Sequence, residues 1–234
     1  MKHRYSIIAL LLCAFLGLSA SAQSVGYEAR WDKVGQYLED FLPLSAASAL
    51  DSIESEARAE GNQMQLLKAL LFRQKIMLLT EEKNAKEAYI RYAERKVHEL
   101  DTVQAAILHT EIARCYASVW TDSKWIIERN TYIDSNLDST EMRYWGVGNF
   151  REAIDRHLAE ALRPTSQLKR APMQDYLMLF EQETLPDVAN IQYEPTVFDF
   201  VFHRVATYYK TVAAADDVPS AWNTADWWLP ADEF

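Results

Sequence analysis

Few residues in this chain have the type and spacing to do chemistry. His98-Glu99 opens like the His-Glu-x-x-His motif that presents two zinc ligands on one helical face, but position 102 is Thr and the second imidazole is missing. His98 therefore reads as part of a solvent-facing helix end. Asp134-Ser135-Asn136-Leu137-Asp138 resembles the first ligands of a calcium loop. Ser139 stands where the turn needs Gly, and Trp145 where a bidentate Glu is needed. Asp138 or Ser139 is better read as a helix cap. Cys115 with His109 or His203 would be a nucleophile and base. His109, however, is six positions from Cys115 on one helix, which puts the two on different faces. No Gly-x-Ser-x-Gly elbow and no phosphate-cradling Gly-rich loop occurs. The sequence thus assigns no catalytic residue, no cofactor and no metal.

Composition narrows the class. The chain has 234 residues, 49% hydrophobic and 25% charged, as a folded domain requires. Only 6 Gly and 7 Pro occur, too few for many turns, which favours long helices. The formal charge is -10, with no concentrated basic patch, so neither nucleic acid nor an anionic membrane surface is an expected partner. Residues 1–22 read as a secretory signal peptide. Lys2, His3 and Arg4 form the basic start and Ile7 to Leu18 the apolar run. Ala20-Ser21-Ala22 supplies the small residues, with cleavage between Ala22 and Gln23. Cys13 leaves with that leader, so Cys115 is alone in the mature chain and reads as a small buried hydrophobe. No other stretch is apolar enough for a membrane span.

The elements that must position any site are helical. The 3-4 spacing of apolar residues predicts helices over 27–41 (Trp31, Val34, Leu38 and Phe41 inward), 45–60, 63–79 and 86–100. Gly61-Asn62 is a helix stop. The stretch from Val103 to Trp120 is the expected centre. It carries a bulky stripe, Leu108, Ile112, Cys115 and Val119, and a small one, Ala106, Ala113 and Ala117. A short segment over 125–132 follows, then a helix opening at Asp138 and running to Leu162. A polar loop, a short helix near 175–180 and a last helix over 197–212 complete the pattern. The expected fold is all-α, built of stacked antiparallel αα-hairpins in a repeat-like array. Residues 23–212 form the helical domain, and 213–234 an irregular, Trp-rich tail or linker.

The chain resembles the N-terminal helical region of large bacterial alpha-2-macroglobulin family proteins. The resemblance is carried by Trp31-Asp32-Lys33-Val34, Leu42-Pro43 with Ser45-Ala46-Ala47, Gln65-Leu66-Leu67-Lys68-Ala69 and Ala113-Arg114-Cys115-Tyr116-Ala117. Its most specific stretch holds Pro195, Thr196, Phe198, Asp199, Phe200, His203 and Arg204. It implies a helical region that precedes β-sandwich domains in a protease-trapping protein. It also implies that the tail leads into such domains, and that the 195–204 residues serve helix packing. Cys115 is followed by Tyr116-Ala117-Ser118, which is not the family's Cys-x-x-Gln thioester. The expectation is a non-enzymatic scaffold, periplasmic or otherwise associated with the cell envelope. Its partner is a protein: the macroglobulin domains of a longer chain, or an envelope protein. The alternative is a stand-alone periplasmic helical-repeat module that binds a protein.

Overall fold

A computed structural model describes residues 26–80, 84–131, 141–183 and 193–211. The cleavage site at Ala22 and Gln23, the calcium-like stretch 134–138, its capping alternative and the 213–234 tail lie outside the described residues. The protein is all-α. Among the described residues no strand occurs, and the one β-bridge pairs Pro172 with Thr196. No described helix is long and apolar enough to cross a membrane. The helices gather into two compact units, 1–83 and 84–234.

The first unit holds α1 (26–39), α2 (Pro43–Glu60) and α3 (Gln63–Thr80). Pro43 opens α2, where its missing N–H costs nothing. Gly61 closes α2 in the left-handed conformation at φ 68, as its place in the sequence predicts. The Asn62 amide donates back to Ala57 O at 2.8 Å and that of Gly61 to Arg58 O at 3.2 Å. The short turn makes α2 and α3 an antiparallel hairpin, laced by Arg73 to Asp51 and Glu54. Trp31 of α1 is buried, with its indole N–H on Gln65 Oε1 at 2.7 Å and its ring edge-on to Phe72.

Phe41 corrects the sequence reading. Expected on the buried stripe of α1, it is 90% exposed with φ 57. The helix ends before it, so helical register no longer places it. Leu42 N–H bonds Tyr37 O and Phe41 N–H bonds Leu38 O, the pattern that closes α2 at Gly61. A bulky residue therefore fills a left-handed cap position. Leu78, expected in the broad apolar arc of α3, is also exposed.

The second unit is centred on α5 (Thr102–Asp122), as the two stripes predict. Leu108, Ile112, Cys115, Ala106 and Ala113 are all buried. Around α5 pack α4 (Ala85–Lys96), α7 (Val147–Leu162) and α9 (Val197–Thr211), with the short α6 (Lys124–Ile127) and α8 (Thr165–Leu168) at turns. Lys86 reaches Ser118 at the far end of α5 while Glu94 meets Tyr116, so α4 and α5 run antiparallel. Tyr116 against Phe150 and His109 against His157 show the same for α5 and α7. Two three-residue or longer 3₁₀ segments, Met142–Tyr144 and Met173–Glu183, bracket α7 and α8.

The start of α7 is a second correction. The acid-rich stretch from Asp138 suggested a helix from there, but α7 begins at Val147 with buried Gly146 as its cap. Asn130 fixes this entry by donating to the carbonyls of Arg143 and Trp145, both at 3.0 Å. The Gly146 N–H is bound by Asn149 Oδ1 at 3.1 Å. A Cβ on Gly146 would lie 2.8 Å from the Asn130 carbonyl oxygen and 2.9 Å from the Thr131 backbone. Gly146→Ala is expected to cost about 1–3 kcal/mol, because backbone and not a pliable side chain must move. Chemical unfolding of the variant checks this; an unchanged midpoint would show that the 130–131 turn yields freely.

Candidate functional site

The polar residues of unit two converge on the seam between α5 and α7. His109 Nδ1 lies 2.8 Å from His157 Nδ1. His157 is buried, and its Nε2 lies 3.0 Å from Glu94 Oε1 on α4. The same oxygen accepts Tyr116 OH at 2.9 Å and Arg156 at 3.3 Å. The His157 ring stacks on Tyr116 at 5.8 Å. Three helices thus supply one hydrogen-bonded line from a carboxylate, through a buried imidazole, to His109.

Its electrostatics follow from burial and neighbours. Burial, and then the approach of His157, lower His109 to about 4, so the ring is neutral near pH 7. Burial works to raise the Glu94 carboxyl, but hydrogen bonds from His157 and Tyr116 outweigh it and hold Glu94 below its ordinary range. Burial and then the Glu94 charge push the Tyr116 hydroxyl up, so it stays a donor. His109 also lines an open pocket of about 310 Å³ with Thr102, Ala106, Glu160, Arg163 and Gln167. The arrangement can accept a proton or hydrogen bond at the pocket.

Cys115 is a buried thiol, pushed up first by desolvation and then by Glu111, whose Oε1 is 4.0 Å from its sulfur. This is the inert small hydrophobe the sequence predicts. The two histidines once paired with it are engaged elsewhere: His109 with His157, and His203 Nδ1 with Glu194 Oε1 at 2.6 Å. His98 is exposed on a 3₁₀ turn over Val97–Glu99, and no group of three or more metal-binding side chains occurs among the described residues. Sequence reasoning missed the relay. The available signal was His157 itself, a polar residue on the stripe of Phe150, Ile154, Leu158 and Ala161.

The 195–204 stretch builds the entry to α9. Thr196 N–H and Oγ1 both donate to Asp199 Oδ2, at 2.9 and 2.7 Å, and the Asp199 N–H returns to Thr196 Oγ1 at 3.4 Å. Met173 N–H bonds Pro195 O, and Val197 N–H bonds Ala171 O, tying α9 to the preceding turn. Phe200 is buried edge-on to Phe180, with the Arg204 guanidinium 4.3 Å from its ring centre. Phe198 stacks on Phe202 and lies under Lys169. No protein family, curated protein or solved structure matches the chain. Thr196→Ala removes both cap bonds through its hydroxyl and is expected to cost about 1 kcal/mol. Thr196→Ser should recover most of it. Thermal unfolding of the pair reads the difference; equal losses would place the cost in the lost methyl instead.

Proposed function

We propose that this chain is a non-enzymatic, exported helical scaffold, the N-terminal region or truncated form of an alpha-2-macroglobulin-like protease-trapping protein. The observation that carries the reading is how the 195–204 residues are used. Thr196 and Asp199 cap α9, His203 binds Glu194, and Phe200 and Arg204 pack on one another. Every one of those side chains serves packing, which is the role the resemblance implies. The antiparallel α2–α3 and α4–α5 hairpins agree with it. The leader at 1–22 and the following β-sandwich domains belong to the same proposal. An immunoblot of the source cell's envelope fraction, with serum against residues 27–210, tests it. A very large band supports it. A band near 27.0 kDa less the leader sinks it.

One observation favours the second reading, a stand-alone periplasmic module that binds a protein. Phe41, Leu42 and Leu44 are exposed side by side at the α1–α2 turn, and Phe41 is held in a conformation that suits glycine. Phe41→Gly is expected to stabilise the first unit by roughly 1 kcal/mol through relief of that backbone cost. If the knuckle binds a partner, the same variant loses capture of that partner from envelope extract while gaining stability. Capture unchanged by Phe41→Gly removes the knuckle from consideration.

A further inference from the structure

Proton count sets the character of the pocket beside His109. Glu94 is a carboxylate that accepts from Tyr116, Arg156 and His157, so the shared His157 proton sits on Nε2. Only one proton fits between two Nδ1 atoms 2.8 Å apart. In neutral His157 the single proton is already spent on Glu94, leaving Nδ1 a bare acceptor. The proton in the short contact therefore belongs to His109 Nδ1, and His109 Nε2 is left as a lone pair. Glu160, a second acceptor, lines the same pocket. Arg163 lines it too, bonded to Glu160 at 2.9 and 3.2 Å and largely exposed.

That set of groups selects a ligand. An anion alone would face two acceptors. A zinc ion would find one imidazole and one carboxylate, short of the three protein ligands that an open zinc site uses. An apolar molecule would leave both acceptors unmatched. A donor with positive charge suits His109 and Glu160, and a carboxylate suits the Arg163 fork. We propose that the pocket binds a small zwitterion with an ammonium beside a carboxylate, the chemistry of a free α-amino acid. The ammonium donates to His109 Nε2 and Glu160, and the carboxylate takes the Arg163 guanidinium. A space of about 310 Å³ holds such a molecule.

The test uses the purified chain, with ¹⁵N-labelled histidines, and three probes: L-alanine, N-acetyl-L-alanine and L-alaninamide. Before any probe is added, long-range imidazole spectra should show the His109 proton on Nδ1. L-alanine should then shift His109 Nε2 saturably. The two blocked probes should bind roughly ten-fold more weakly or worse, each lacking one charge-assisted partner. Glu160→Gln should weaken L-alanine to a similar extent without moving the thermal midpoint, since Glu160 is partly exposed. Arg163→Gln should abolish the preference for L-alanine over L-alaninamide. A His109 proton found on Nε2 in the free chain would overturn the inference. So would equal binding of N-acetyl-L-alanine, no shift up to the solubility limit of L-alanine, or a ring that responds to zinc alone.

Discussion

Phe150→Ala is expected to remove about 3–5 kcal/mol from the second unit. The ring is fully buried on α7 and stands where three aromatic systems meet. Tyr116 of α5 meets it edge-on at 6.4 Å, and Trp145, just before the helix, at 5.3 Å. Tyr116 and Trp145 also stack on each other at 5.9 Å. Truncation removes the transfer term and both edge-to-face contacts, and leaves a cavity lined by rings. Those rings cannot collapse into it cheaply. Tyr116 is held by its bond to Glu94, and Trp145 by the Asn130 clamp on its carbonyl. Against a typical total of about 5–15 kcal/mol, such a loss brings the unit close to unfolding. Urea titration gives the magnitude, and hydrogen exchange at α5 and α7 amides shows where it falls. Leu177→Ala, at a 43% exposed position, is the control and should stay within about 0.5 kcal/mol. A loss for Phe150→Ala near that of the control would mean that the cluster repacks, and that α5 and α7 are held by other contacts.

The elements of that cluster differ in how far the sequence discloses them. Leu108, Ile112 and Cys115 follow helical period, so α5 and its central place can be read from spacing alone. Gly61 announces the end of α2 because glycine suits the left-handed cap. Phe41 performs the same task at the end of α1 with no such signal, since nothing in an aromatic residue suggests a left-handed conformation. The α7 boundary is hidden for another reason. Asp138 to Glu141 has capping chemistry of its own, but the helix begins where Asn130, more than a dozen residues earlier, grips the 143–145 backbone. The relay is hidden most deeply. Glu94, His109 and His157 lie on three helices, and only the antiparallel packing of α4, α5 and α7 brings them within hydrogen-bond reach. Local propensity cannot express contacts at that sequence separation.

The same buried relay makes the second unit sensitive to acid. An unfolded histidine titrates near its ordinary 6.5, whereas folded His109 is lowered to about 4. Between those values the unfolded chain binds a proton that the folded chain refuses, so stability falls as pH drops through that window and the term is exhausted below about pH 4. Desolvation is the main cause. His157 and Arg156 on α7 add repulsion, while Glu160 on α7 and Glu94 on α4 work the other way. The full gap corresponds to roughly 3 kcal/mol, and residual solvent at the pocket reduces it to about 2–3 kcal/mol. Glu94 extends the loss further. Its carboxyl is held below the ordinary range, so its contribution is present above about pH 4.5 and disappears as pH falls through its lowered folded value. Urea midpoints measured from pH 7 down to pH 4 should therefore decline most steeply between about pH 6 and 4. In His109→Gln the amide can still donate to His157 Nδ1, so the packing survives while the titrating group is gone. That variant should lose most of the decline between pH 6.5 and 4.5 and keep the part below it. A wild-type profile flat across this window, or one that His109→Gln leaves unchanged, would mean that acid sensitivity resides in other groups. The ring would then not be the suppressed imidazole that the α5–α7 seam creates.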